Sequence, residues 1–252
     1  MTATVPYNAV MHWTEDVRDG ITLMRPAETP AGVIVAFSGR GHAPDGEETP
    51  TAFLSRRFSR ALGLDGTPIH WAHQVHGNDA VTVRTAADGG ESNVGRCDAL
   101  ATALASAALV VQTADCVPIL LAAPSAVGAA HAGWRGSAKN VAAEAVRALE
   151  ALGAKPSTLR AWIGPAIGSC CYEVGGDVAA QFAGDFVRAG CGGGKFRLDL
   201  KALNVAQLEA AGVPRESIEV HPACTKCGGD KYSSYRRDGQ RSGRMIALIA
   251  RS

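Results

Sequence analysis

The sequence predicts one α/β domain with mixed sheets, and three observations carry that reading. Short apolar runs of strand length alternate with segments of helical period. The apolar runs at residues 108–112, 118–123 and 126–131 are continuous rather than alternating, which is the pattern of strands covered on both faces. The chain has 252 residues, 46% hydrophobic and 19% charged, the size and make-up of one large domain with a substantial core. No internal repeat or dividing linker is visible. Residues 1–252 therefore read as a single catalytic domain, with 1–20 as a peripheral N-terminal segment.

Taken in order, residues 32–37 (GVIVAF) read as a buried strand. Residues 50–64 read as a helix, with Leu54, Phe58, Ala61 and Leu62 on one face and Arg56, Arg57 and Arg60 exposed. Residues 80–84 alternate like a half-buried strand, and the three continuous runs follow. Ser137 reads as the N-cap of a helix whose Val141, Ala145, Leu149 and Leu152 share a face, with Gly153 and Pro156 as the stop. Residues 158–163 form another strand. Asp177 reads as the cap of a helix carrying Val178, Phe182 and Phe186. A helix over 200–211 closes at Gly212 and Pro214, and strands at 218–220 and 245–250 end the chain. The longest irregular stretches are 38–49, 88–97 and 224–244, and long loops in compact domains often carry function.

Composition narrows the function classes. Lys plus Arg is 25 against 24 for Asp plus Glu, so no basic excess points to nucleic acid. The most apolar region, 99–132, is interrupted by Gln112, Asp115, Pro118, Pro124 and Gly128, so no membrane span is expected. The first eleven residues carry no Lys or Arg, unlike a secretory signal. The seven cysteines (Cys97, Cys116, Cys170, Cys171, Cys191, Cys224 and Cys227) are odd in number and include an adjacent pair. Free thiols in a cytoplasmic protein are the expectation.

Three residues stand where α/β sheets place their sites, at strand ends that feed loops. His76 closes His73-Gln74-Val75-His76-Gly77. Cys116 sits in Thr113-Ala114-Asp115-Cys116. His131 opens His131-Ala132-Gly133-Trp134-Arg135-Gly136. Two imidazoles and a thiolate suit Zn²⁺ and leave a fourth position for water or substrate. With equal weight, the same residues read as a small buried thiol and two hydrogen-bonded core histidines. Gly133 to Ser137 leads into a helix, whose N–H groups attract anions, and Arg135 adds a grip on phosphate; the plainer reading is a capped turn. Cys224-Thr225-Lys226-Cys227 is a CxxC without a second CxxC, so two loop thiols are preferred to a structural zinc site or a redox pair. Cys170-Cys171-Tyr172-Glu173 reads as a tight packed loop ahead of a nucleophile. No histidine is followed by x-Glu, so the cytidine-deaminase arrangement is excluded. Asp98, Asp115, Glu173 and Asp199 are the carboxylates nearest these motifs. His12, His42, His70 and His221 have no comparable context.

Together the motifs are specific. The chain resembles the purine nucleoside phosphorylase family formerly called multicopper polyphenol oxidases, or laccase-domain proteins. The matching stretches are His73–Gly77, Cys97-Asp98-Ala99-Leu100, Thr113–Pro118, Gly128–Gly136, Ile163-Gly164-Pro165-Ala166-Ile167, Cys171–Gly175, Cys224-Thr225 and Ser234–Gly239. The resemblance implies a single-domain four-layer α/β/β/α sandwich. It implies His76, Cys116 and His131 as metal ligands, for zinc with copper also possible. It implies phosphorolysis of adenosine, inosine and methylthioadenosine, with adenosine deamination as a second reaction. Arg40, Gln74, Gly133, Arg135 and Gly136 become the expected phosphate or substrate contacts, and Asp98 and Arg40 the catalytic candidates. The chain departs from the family where Ser38-Gly39-Arg40 is followed by Gly41-His42-Ala43-Pro44 rather than Gly-Gly-Val-Ser. Two rival activities are a cysteine hydrolase or amidase editing cell-wall precursors, with Cys116 as nucleophile and His131 as base, and a copper-dependent polyphenol oxidase. The oxidase lacks the His-x-His pairs a copper cluster needs. A non-enzymatic binding module predicts neither turnover nor metal.

Overall fold

Two stacked sheets, each with helices on its outer face, make the body of the protein. The computed structural model describes residues 13–42, 50–86, 90–190 and 192–251. His12, Cys191 and residues 43–49 and 88–89 of the expected loops lie outside them.

The strands of the first sheet are β1 (Trp13–Arg18), β2 (Ile21–Pro26), β3 (Val33–Ser38), β4 (Ile69–His73), β6 (Glu91–Arg96), β8 (Ala107–Thr113) and β16 (Met245–Arg251). Their order is β1-β2-β3-β16-β8-β4-β6. The pairing is antiparallel from β1 to β8 and parallel across β8-β4-β6. The second sheet runs β15 (Ile218–Val220), β11 (Arg160–Ile163), β9 (Val117–Ala122), β10 (Val127–Ala132), β7 (Ala99–Thr102) and β5 (Ala80–Val83). Its inner pairs are antiparallel and its two outer pairs parallel. A small antiparallel sheet of β12 (Glu173–Gly175), β14 (Lys195–Leu198) and β13 (Val187–Ala189) stands aside. The helices are α1 (Pro50–Ala61), α2 (Trp134–Ala138), α3 (Val141–Glu150), α4 (Gly176–Ala179), α5 (Leu200–Ala210) and α6 (Tyr235–Asp238).

The continuous apolar runs are explained by burial on both faces. On β9, Val117, Ile119 and Leu121 pack under α3 and α5 with Val146, Leu149, Leu203 and Leu208. The intervening Leu120 and Ala122 face the space between the sheets, against Phe37, Leu109, Val111, Trp162 and Ile249. On the outer side of the first sheet, Ala108, Val110, Ile246 and Leu248 meet Leu54, Phe58 and Ala61 of α1. The layers therefore run α/β/β/α, as the family resemblance implied. Burying one such leucine contributes about 2 kcal/mol, so these three apolar layers dominate the cohesion of the domain.

Several local expectations need correction. Ser137 is not an N-cap. Gly133 starts the five-residue α2, and Asn140, at φ 61°, starts α3. The Ser137 side chain instead accepts a hydrogen bond from Asn204 Nδ2 of α5 at 2.9 Å, and its carbonyl accepts one from Gln207. Asp177 lies inside the four-residue α4, which begins after Gly175. Val178, Phe182 and Phe186 still pack on the core under the second sheet, but from a broken segment. The stretch 88–97, expected as a loop, contains edge strand β6, whose polar ESNVGR hides its extended state. Residues 13–18 form the outer edge of the first sheet, joined to β2 through Asp19-Gly20, both at positive φ, the two-residue hairpin turn of that pair.

Candidate metal centre

Three strand ends deliver the site. β4 leaves the first sheet at His73 and runs through Gln74-Val75-His76-Gly77. β8 ends at Thr113, and Ala114-Asp115-Cys116 carry the chain across to β9 in the second sheet. His131 lies on β10. The ligand atoms of His76, Cys116 and His131 all lie within 4.8 Å of one another. The two imidazole rings stand edge to face, with centroids 4.9 Å apart. The three residues thus stand as one cluster that could hold a metal ion.

Asp98 builds the cluster from behind. Its carboxylate is 1% exposed and accepts from the backbone N–H groups of Val75 (3.2 Å), His76 (3.0 Å) and Gly77 (2.6 Å). It also receives His131 Nδ1 at 2.8 Å. An ionised carboxylate only accepts, so Nδ1 carries the proton and Nε2 is the atom left to bind a cation. Burial alone would raise the Asp98 pKa. The bonds from His131 and Gly77 outweigh burial and hold it below the usual carboxylate value. His76 sits at φ 58°, an uncommon region for a side chain with a Cβ, and the carboxylate holds that turn in place.

Asp115 does the same for the second turn. It too has positive φ, at 87°. Thr225 donates its hydroxyl to Oδ1 and the Arg236 backbone N–H donates to Oδ2, both at 2.6 Å. Gly133 completes the cradle by absence. A Cβ there would stand 2.9 Å from His76 Cδ2 and 3.1 Å from Cys116 Sγ.

The charges favour a cation at the centre. Burial tends to raise the Cys116 thiol, but the charge and hydrogen bond of His131, with a bond from His76, outweigh it and bring the pKa down to about 6. For His131, burial tends to lower the pKa, but the Cys116 charge and the Asp98 bond raise it to about 9. A thiolate and an imidazolium therefore face each other, and a bound cation takes the place of the Nε2 proton. The donor set and the glycine cradle fit one borderline or soft ion, zinc or copper.

Beside the ligands opens a cavity of ≈ 410 Å³, lined by Gln74, Gln112, Thr113, Ala114, Asp115, Tyr172, Tyr235, Arg236 and Arg244 as well as His76, Cys116 and His131. Its cations are Arg236 and Arg244, while both oxygens of Asp115 are already occupied. Arg236 lies over the Tyr172 ring at 5.2 Å, and Tyr235 is 51% exposed. The space is of a size that holds a small organic ligand.

The expected contacts fare differently. Gln74 lines the cavity, but its amide is engaged: it donates to the Gln112 carbonyl and accepts the Gln112 N–H, each at 2.8 Å, extending the β4–β8 pairing. Gly136 packs against the His76 turn, where a Cβ would meet Gly77 O at 2.7 Å. Arg135 is exposed and stacks on Trp134 at 4.3 Å, with its charge reaching the Tyr172 hydroxyl. Arg40 is not among the cavity residues. Its guanidinium pairs with Asp238 (3.2 Å) and Asp230 (3.3 Å) and donates to His42. Asp98 is likewise absent from the lining, its carboxylate being taken up by the His76 turn and His131. Sequence reasoning assigned no role to Tyr172, Tyr235, Arg236 or Arg244, although 224–244 stood out as a long loop. Cys224 and Cys227 are free loop thiols, and Cys170 and Cys171, which the sequence did not connect with them, lie against them with all four sulfurs within 4.8 Å. Among the described residues no helix is long and apolar enough to cross a membrane.

Comparison with known proteins agrees with this architecture. The sequence model of the family described as "Multi-copper polyphenol oxidoreductase laccase" matches residues 44–252. A protein of Xylella fastidiosa (strain Temecula1) named purine nucleoside phosphorylase is 40% identical over 204 residues, covering 76% of this chain and 75% of its own. A protein named adenosine deaminase RL5, from an unknown prokaryotic organism, is 39% identical over 162 residues, covering 61% of this chain and 62% of its own. The crystal structure of YlmD from Geobacillus stearothermophilus superposes with a TM-score of 0.83 at 32% identity, over 96% of this chain and 99% of that one. With the same fold, the same sequence pattern and relatives named as nucleoside enzymes, the chain belongs to the multi-copper polyphenol oxidoreductase laccase family, in the company of its purine nucleoside phosphorylases.

Proposed function

We propose that this protein is a zinc-dependent purine nucleoside phosphorylase, acting in the cytoplasm on adenosine, inosine and methylthioadenosine, with adenosine deamination at the same site. One observation carries the reading: two imidazoles and a cysteine sulfur converge beside a cavity lined by the guanidinium groups of Arg236 and Arg244, which are held by neutral hydrogen-bond acceptors, Arg236 by the Glu173 carbonyl and Arg244 by the Ser242 hydroxyl and the Gly243 carbonyl. Relatives named purine nucleoside phosphorylase and adenosine deaminase support the substrate class.

His76, Cys116 and His131 hold the ion, and when bound it supplies Lewis-acid polarisation of the reacting oxygen. The chain supplies the rest. Arg236 and Arg244 draw phosphate into the cavity and align it, with Arg135 adding charge nearby. Tyr172 and Tyr235 offer rings against which a purine stacks. Phosphate then attacks the anomeric carbon as the C–N glycosidic bond breaks, the purine leaving with the electron pair and giving ribose 1-phosphate. In deamination, water replaces the exocyclic amine, which leaves as ammonia. Asp98 keeps His131 in one tautomer through either reaction.

The test is chromatographic assay of adenosine and inosine with and without phosphate, beside metal analysis. Cys116→Ala is expected to lose this site's zinc and both activities. Full phosphorolysis by the Cys116→Ala protein refutes the proposal. A cysteine hydrolase is favoured by one specific observation, the row Cys116–His131–Asp98, with the Cys116 sulfur within 4.8 Å of the His131 ring nitrogen and His131 Nδ1 2.8 Å from Asp98. A covalent acyl adduct trapped on Cys116 selects that reading instead, and zinc held through the same sulfur opposes it.

A further inference from the structure

Away from the cavity, two loops bring together four cysteines that the proposed chemistry does not use. Cys170 and Cys171 follow the turn after β11, and Cys224 and Cys227 follow β15. The loops meet through an isolated parallel bridge between Ala166 and Cys224, with the Thr225 N–H donating to Ala166 O at 3.1 Å. Cys171 Sγ lies 3.2 Å and Cys170 Sγ 3.6 Å from Cys227 Sγ, and all four sulfurs lie within 4.8 Å of one another. None is joined in a disulfide. Tetrahedral Zn–S bonds of about 2.3 Å place neighbouring sulfurs about 3.8 Å apart, so this cluster needs only sub-ångström adjustment.

Backbone donors favour a thiolate at Cys224, while burial and the neighbouring sulfurs push the Cys170 and Cys171 thiols up as long as no cation sits among them. Cys224 Sγ receives the Gly168 N–H at 3.2 Å, and the backbone N–H groups of Lys226 and Cys227 also point to it. Gly168 sits close against the cluster, since a Cβ there would meet Cys170 Sγ and Cys224 Cβ, both at a tight 3.2 Å. Arg197 donates to the Cys170 carbonyl. Lys201, 8% exposed, is capped by the carbonyls of His221, Pro222 and Ala223, and feels the charge of Asp199 first and then those of Cys224 and Cys170. A buried ammonium is stabilised by nearby negative charge. Four thiolates around a divalent ion carry a net charge of −2 and add to that of Asp199.

We propose that Cys170, Cys171, Cys224 and Cys227 form a second, structural zinc site, closed by four sulfurs and separate from the His76–Cys116–His131 centre. Binding displaces the thiol protons to solvent and involves no redox step. The site staples the wall of the cavity: Cys171 adjoins Tyr172, which lines it, and Cys224 adjoins Thr225, which holds Asp115.

The test is metal stoichiometry on the full chain purified under reducing conditions with Zn²⁺. Wild type is expected to hold two zinc ions per chain, Cys116→Ala one, and Cys227→Ser one. Co²⁺ loaded into the Cys116→Ala protein is expected to give the strong sulfur-to-metal charge-transfer absorption of a tetrathiolate. Should Cys227→Ser fail to fold, alkylation of the wild type decides: zinc is expected to slow modification of these four thiols at least tenfold, and a chelator to restore it. A single zinc per chain that disappears with Cys116→Ala overturns the proposal. So do alkylation rates indifferent to zinc, or a Cys171–Cys227 disulfide in the freshly reduced protein.

Discussion

Replacing Asp98 by Asn tests how the ligand cluster is held, because the change keeps the shape and removes one acceptor. Asp98 Oδ1 accepts from His76 N–H and His131 Nδ1, and Oδ2 from Val75 and Gly77 N–H. An amide has to put its NH₂ in one of those places. Facing Val75 and Gly77, it leaves two buried donors unmatched and loosens the turn that carries His76. Facing His131, it forces the proton to Nε2, the atom that binds the ion. Each lost charge-assisted bond is worth about 1.5–3 kcal/mol, so losing two is expected to cost the apo protein about 3–6 kcal/mol of stability against urea. Disturbing the carboxylate behind a ligating histidine costs about 10–100-fold in metal affinity. Competition with a chromophoric chelator measures the affinity at this centre, and urea unfolding of the chelated protein the stability. Zinc affinity within twofold of wild type would show that the carboxylate does not set the tautomer.

Gly133→Ala is expected to weaken metal binding at this centre at least tenfold with unchanged circular dichroism, because the new methyl group meets His76 and Cys116 while the backbone, at φ −74°, tolerates it. Arg244→Ala is expected to raise KM for phosphate tenfold or more, whereas Arg40→Ala changes it less than threefold, its guanidinium being committed to Asp238 and Asp230; phosphate titrations of initial rate distinguish the two. His221 is held neutral by burial and by the Lys201 and Lys231 charges, with its pKa lowered to about 4 from 6.5. The unfolded chain takes up that proton first, so stability is full above pH 6.5 and falls as pH drops toward 4, by about 3 kcal/mol. The urea midpoint of wild type minus that of His221→Gln is expected to shrink across that window, and a constant difference contradicts it.

The central strands were legible because burial on both faces leaves only apolar choices, and β8, β9 and β10 are such runs. Helices α1, α3 and α5 were legible because each buries one face. Edge strands β1 and β6 were not, since solvent on one side permits charge and glycine. The ligand triad was legible as residue types at strand ends, but their convergence depends on two sheets meeting, which spacing does not encode. The pairing of Arg40 was not legible, because its partners Asp230 and Asp238 lie far along the chain. The four thiols were hidden because an adjacent pair is not a spacing that announces a metal, and long-range contacts such as the bridge between Ala166 and Cys224 bring the loops together.

His76 hangs from one sheet, His131 belongs to the other, and Cys116 sits on the chain segment that crosses between them. An ion at that point would be a rivet through two leaves. Its removal would do more than silence the proposed reaction; it would unpin one leaf from the other. Tuning reactivity at these donors and tuning the cohesion of the leaves would then be one adjustment.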